Sequence, residues 1–245
     1  MTNAEILSEN LAEILDETFK VIMIGNSGVG KTCLAIRAGT NNFQTTTPTL
    51  GFEIININVR YCEKIIRLQI WDTCGQETYK SIISKFYKQA KLCLLVFSID
   101  NKKSFNDLDG WLSEIKDNGD KDVKIALVGN KTDLDKREVS KEEELEYKIK
   151  RNLDLCFESS AKHGDNSKDI FIEGAKLVYD EYMKNKKNEE KNQNLKIDKN
   201  NNNNKKNKNK KNKNKKFDED YDYDEYDDDN YYDDMKGKQG SCNKC

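Results

Sequence analysis

The sequence predicts an α/β fold in three layers: a mostly parallel six-stranded sheet with one antiparallel edge strand and helices on both faces. Three observations lead there. From Phe19 onward, strand-like and helix-like stretches alternate along the chain. Runs such as Leu92-Cys93-Leu94-Leu95-Val96-Phe97 are apolar at nearly every position, which marks strands buried on both sides of a parallel sheet. Gly25-Asn26-Ser27-Gly28-Val29-Gly30-Lys31-Thr32 follows one such strand and opens a helix, which is the context a G-x-x-x-x-G-K-[ST] loop requires.

Taken in order, residues 1–17 are acidic, with Ile6, Leu7, Leu11, Ile14 and Leu15 at near-helical spacing, and read either as a small docking helix or as a frayed extension. A folded domain is predicted over residues 18–183. Its strands are Phe19–Ile24, Glu53–Arg60, Lys64–Trp71, Leu92–Ile99, Lys124–Gly129 and Leu155–Glu158. Its helices are Lys31–Ala38, Ser81–Gln89, Ser104–Lys116, Lys141–Asn152 and Ser167–Met183. Only Tyr61-Cys62-Glu63 separates the second and third strands, too short for a crossover helix, so that pair must be antiparallel. Ligands of such sheets bind beyond the carboxyl ends of the strands.

Past Met183 the apolar content collapses. Residues 184–216 carry 14 Lys against Glu189, Glu190 and Asp198, and residues 217–234 carry 11 Asp or Glu with no Lys or Arg. Neither block has the apolar surface to order itself, so residues 184–241 read as a low-complexity tail. The basic block suits an anionic membrane leaflet or a solvated spacer, and the two blocks could also pair with each other. The overall net charge of −2 hides both. Seven cysteines stand singly and His163 is the one histidine, which disfavours structural zinc and points to small apolar residues in a reducing compartment. No signal-peptide pattern or membrane-length apolar run is present, so the expectation is a cytosolic protein or one attached to a membrane by other means.

The chemistry concentrates at strand ends. Gly25, Gly28 and Gly30 allow a tight turn that brings the N–H groups from Asn26 to Cys33 toward a phosphate chain, with a helix N-terminus aimed at it. Lys31 can reach β- and γ-phosphates, and the Thr32 hydroxyl can ligate Mg²⁺. In Trp71-Asp72-Thr73-Cys74-Gly75-Gln76-Glu77, Asp72 is placed to hold Mg²⁺, Gly75 to offer its N–H to a γ-phosphate, and Gln76 to orient an attacking water. Thr49, in the Thr-rich loop after Phe43, is the candidate to touch Mg²⁺ and γ-phosphate together. Asn130-Lys131-Thr132-Asp133 follows an apolar strand; a carboxylate at Asp133 pairs with the N1–H and 2-amino groups of guanine, which adenine lacks. Lys131 can lie along the base, and Ser160-Ala161-Lys162 can offer backbone N–H to guanine O6.

These motifs, in this order and spacing, resemble the Ras superfamily of small GTPases, and within it the Rab family, over about Phe19 to Met183. Trp71 before Asp72, the Phe86-Tyr87-Lys88-Gln89-Ala90 segment and a tail ending in cysteines carry the Rab resemblance. It implies a P-loop GTPase fold and a switch that hydrolyses GTP to GDP and recruits effectors in membrane trafficking. It further implies bound GTP or GDP with Mg²⁺, Phe43 against the guanine edge, and Gln76 and Lys31 in catalysis. Implied partners are an exchange factor, a GTPase-activating protein, a GDP-dissociation inhibitor or escort protein, and effectors touching Ile54, Trp71 and Phe86, with Ile54 standing where a phenylalanine is usual. The ending over residues 242–245, Cys242-Asn243-Lys244-Cys245, resembles the double-cysteine endings that Rab proteins have geranylgeranylated, which implies a lipid-anchored protein on the cytoplasmic face of an internal membrane, cycling with cytosol. No arginine is placed to act in cis, so slow intrinsic turnover is expected. Two alternatives stay open at this point: a Ras-like signalling GTPase without trafficking duties, and a GTP-binding scaffold with negligible hydrolysis. A nucleic-acid role for the basic block is not expected beside its acidic neighbour.

Overall fold

The computed structural model describes residues 4–7, 15–49, 51–73 and 86–214. The predicted helix over Ser81–Gln89 falls largely outside them, as do Cys74, Gly75, Gln76, Cys242 and Cys245. The chain divides into two units, Met1–Asn188 and Glu189–Cys245.

The first unit is built on a seven-stranded sheet in the order β1-β3-β4-β2-β5-β6-β7. The strands are β1 (Glu5–Leu7), β2 (Glu17–Ile24), β3 (Phe52–Tyr61), β4 (Lys64–Thr73), β5 (Ala90–Ser98), β6 (Lys124–Asn130) and β7 (Leu155–Ser159). The helices are α1 (Lys31–Thr40), α2 (Lys102–Asn106), α3 (Leu108–Asn118), α4 (Lys141–Arg151) and α5 (Ser167–Asn214). β2 lies parallel between β4 and β5, and β6 and β7 extend the parallel set.

β2 explains the layering. Val21, Ile22, Met23 and Ile24 are fully buried, and alternation sends them to opposite faces. Val21 and Met23 join Leu34, Ala35, Ile170, Phe171 and Val178 in one core, against α1 and α5. Ile22 and Ile24 join Phe97, Leu108, Trp111 and Ile115 in the other, against α3. As predicted, β3 and β4 form an antiparallel hairpin, closed by Cys62 and Glu63 with φ of 51° and 61°.

Three expectations need correction. The near-helical spacing of residues 1–17 does not give a helix at Glu5–Leu7. These residues form β1, antiparallel to β3 with Ile6 opposite Val59, so the sheet has seven strands and β1, not β3, is the edge. An unpaired β3 would leave a row of ladder groups open. β1 covers part of that row, buries Leu7 and joins Glu5 to Arg60 at 2.9 Å. The single helix predicted over Ser104–Lys116 is two, jointed at Asp107. Finally, α5 runs past the predicted end at Met183 to Asn214. Up to residue 191, Tyr179 is its last buried residue, and neither Gly nor Pro interrupts the Lys- and Asn-rich sequence beyond. Among the described residues, no helix is long and apolar enough to cross a membrane.

Candidate functional site

β2 ends in the glycine loop at the carboxyl edge of the sheet. Gly25 has φ 139°, and a Cβ there would stand 2.0 Å from the Val96 carbonyl oxygen of β5, so the loop leaves the sheet where only glycine fits. Gly30, at φ 95°, caps α1, and a Cβ there would meet the Asn130 amide nitrogen at 2.4 Å. The Lys31 ammonium turns back over the loop, donating to the carbonyls of Gly25 (2.8 Å) and Asn26 (3.0 Å). The loop borders a cavity of about 270 Å³, lined by Ser27, Gly28, Lys31, Thr32 and Cys33 on one side and by Phe43, Thr45–Thr49 and Lys131 on the other.

At this cavity three predicted oxygen ligands meet. Thr32 Oγ1 donates to Asp72 Oδ2 at 2.5 Å and lies 2.8 Å from Thr49 Oγ1. Thr49 Oγ1 is 3.5 Å from the same carboxylate oxygen. Asp72 is fully buried, and its Oδ1 has no hydrogen-bond partner. Burial pushes its carboxyl above the ordinary range, against the Thr32 hydrogen bond and the Lys31 charge. A buried, half-satisfied carboxylate beside two hydroxyls is a donor set for a hard dication. Mg²⁺ binds through one or two carboxylates and takes its other ligands from water and phosphate, so these residues fit it. Cys33, next along α1, donates through Sγ to the Gln44 carbonyl at 3.4 Å.

The second predicted cluster forms where β6 and β7 end. Asn130 is buried and its amide is engaged within the protein: Nδ2 donates to the Val29 carbonyl at 2.9 Å, while Oδ1 accepts from Ser159 Oγ and Ala161 N–H at 3.2 and 3.3 Å. It thus ties the glycine loop to the Ser160-Ala161-Lys162 turn. Ser160 Oγ donates to Asp133 Oδ1 at 2.7 Å, and Lys162 Nζ lies 3.9 Å from Asp133 Oδ2. Lys131, at φ 71°, reaches the cavity of the glycine loop, so the two clusters share one site. Cys74, Gly75 and Gln76 follow Thr73 of β4 and lie outside the described residues.

A separate aromatic patch lies on the β3–β4 face. Trp71 and Phe86 are 5.2 Å apart between ring centroids. The third aromatic is Phe52, stacked on Trp71 at 5.1 Å and 4.5 Å from Phe86. Sequence reading missed Phe52 because it precedes the predicted strand start at Glu53. The signal was there: Phe52 and Ile54 are two apart on one strand and share a face. Both are exposed, at 40% and 45%.

Comparison with known proteins agrees with this geometry. A model of the Ras family matches residues 20–180. Ras-related protein Rab-13 of Rattus norvegicus is 38% identical over 162 residues, covering 66% of this chain and 80% of its own. Ras-related protein Rab-8B of Homo sapiens is 38% identical over 164 residues, with 66% and 79% covered. Ras-related protein Rab-8 of Diplobatis ommata is 37% identical over 191 residues, with 77% and 90% covered.

Proposed function

Because the chain belongs to the Ras family, as a Rab small GTPase that binds GTP or GDP with Mg²⁺ and hydrolyses GTP in vesicle trafficking, we propose that the cavity beside α1 is its triphosphate site and the Asn130–Lys162 cluster its guanine site. The observation that carries this is the meeting of Thr32, Thr49 and Asp72, with one carboxylate oxygen unsatisfied, at the mouth of the glycine loop.

The loop amides of Asn26, Ser27, Gly28, Val29 and Gly30, continued by those of Lys31, Thr32 and Cys33, cradle the phosphates at the positive end of α1. Lys31, anchored by the loop's own carbonyls, sets its charge against the β- and γ-phosphates. Thr32, Thr49 and Asp72 would hold Mg²⁺, which would supply positive charge to the phosphates. Asp133 accepts from guanine N1–H and the 2-amino group, with the hydrogen bond from Ser160 fixing its orientation and the Lys162 ammonium nearby. Lys131 and Phe43 flank the base, and the Ser160-Ala161-Lys162 turn faces O6. Gly75 offers its N–H to the γ-phosphate. Gln76 orients water for in-line attack on that phosphate, and turnover without a partner is about 10⁻⁴–10⁻³ s⁻¹ because no arginine is supplied in cis.

As a Rab protein the chain works with exchange factors, GTPase-activating proteins, GDP-dissociation inhibitors and effectors, at intracellular membranes. Effectors dock on Phe52, Ile54, Trp71 and Phe86, and prenyl chains on Cys242 and Cys245 supply the anchor, two being needed because one lipid binds only marginally. Mass spectrometry of protein from its native cell should find both cysteines modified; free thiols alone would remove the anchor. Single-turnover hydrolysis tests the site. Gln76→Leu should hold the GTP form, whereas wild-type rates in that variant would contradict the assignment.

A further inference from the structure

The side chain of Asn26, second residue of the glycine loop, is held from two directions. Its Nδ2 donates to Asp107 Oδ2 at 2.7 Å, and its Oδ1 accepts from Trp111 Nε1 at 2.7 Å. The amide has only one orientation that satisfies both, because a carboxylate only accepts and an indole N–H only donates. On the main-chain side, the Asn26 carbonyl accepts from Lys31 Nζ at 3.0 Å. Asp107 stands at the joint between α2 and α3, and Lys103 Nζ pairs with it at 2.9 Å. Trp111 is almost fully buried in the core beneath α3. The helix break that the sequence did not predict thus sits where it aims a carboxylate at the loop.

We propose that Asn26 is a positioning residue: clamped between Asp107 and Trp111, it fixes the first turn of the phosphate loop and the carbonyl that anchors Lys31, so that helices α2 and α3 set how long nucleotide stays bound. This rests on the triphosphate site described above. Ser27 and Gly28, the next two residues, are exposed, so the clamp at Asn26 and the close approach of Gly25 to Val96 are what hold this side of the loop.

The chemistry of the pair supplies the test, in the full-length protein with a fluorescent GDP. Asn26→Asp places two carboxylates at hydrogen-bonding distance, and their repulsion should speed GDP release by about tenfold or more at neutral pH. That excess should shrink as pH falls and the pair takes up a proton, a dependence that loosened packing would not give. Adding Asp107→Asn restores a matched pair, with residue 26 now accepting from both residue 107 and Trp111, and release should return to within about threefold of wild type. Asn26→Ala removes both bonds without adding charge and should also release GDP faster, which keeps the test open if Asn26→Asp does not fold. Wild-type release from both single variants, or no rescue in the double variant, overturns the proposal. Wild-type protein that binds no GDP would overturn the nucleotide site itself and with it the role of Asn26.

Discussion

Glu144 offers a prediction whose size follows from its surroundings. It lies on α4 and is 2% exposed, facing Glu158 of β7. Arg137 Nη1 is 2.6 Å from Glu158 but 3.6 Å from Glu144 Oε1, which has no hydrogen-bond partner, and Lys141 also pairs with Glu158, at 3.2 Å. Burial, then the charge of Glu158, pushes the Glu144 carboxyl from 4.5 up to about 8. In Glu158 the bonds from Arg137 and Lys141 outweigh burial and move its carboxyl down. With Glu144 raised in the folded state, the native protein binds more protons than the unfolded chain between those two values, so stability is greatest below the lower value and falls as pH rises toward the upper one. One proton linked in this way removes on the order of 3 kcal/mol between about pH 5 and about pH 8. At roughly 2–4 °C per kcal/mol for a domain of this size, Tm should drop by about 6–12 °C across that range. Glu144→Gln keeps a donor toward Glu158 and cannot ionise. Its Tm should be nearly flat over the same range, and it should exceed wild type most at the alkaline end. Differential scanning calorimetry in matched ionic strength is the assay. A wild-type profile that is already flat, or a Glu144→Gln profile with the same slope, would refute the buried-carboxyl explanation.

Two further predictions concern the frame of the site. Gly25→Ala puts a methyl 2.0 Å from a backbone oxygen of β5, where the β2–β5 ladder cannot yield. It should cost more than about 4 kcal/mol and leave little folded protein by circular dichroism, and a loss under about 1 kcal/mol would contradict the close approach. In the β3–β4 hairpin, Cys62 and Glu63 both hold positive φ, the backbone of a turn that favours Asn-Gly. Replacing the pair by Asn-Gly should add about 1 kcal/mol, read as a Tm rise of roughly 2–4 °C.

The parts of the fold visible in the sequence were those governed by local pattern. Apolar runs located every strand from β2 to β7. The glycine loop, Asp72, Asn130 and Asp133 stood out as motifs following apolar strands, whereas Thr49 lay in a Thr-rich loop that its own sequence left as a candidate only. What escaped depended on distant partners. β1 is three residues long, too short to show a period, and only the open edge of β3 makes it a strand. Asp107 breaks a stretch whose apolar spacing is continuous, because its carboxylate is committed to Asn26 and Lys103. Glu144 sits in the run Glu142-Glu143-Glu144, which reads as a solvated face until α4 is packed on β6 and β7. Asn130 was one member of the motif after an apolar strand, and its packing adds a bridge between the glycine loop and the Ser160 turn.

If guanine nucleotide and Mg²⁺ bind between Asp133 and the Thr32, Thr49 and Asp72 cluster, competition binding with fluorescent GDP should show it. GTP and GDP should displace the probe, ATP should fail to do so even at a ~1,000-fold excess, and chelating Mg²⁺ should accelerate GDP release. Displacement by ATP at concentrations similar to GTP, or release indifferent to Mg²⁺, would contradict it.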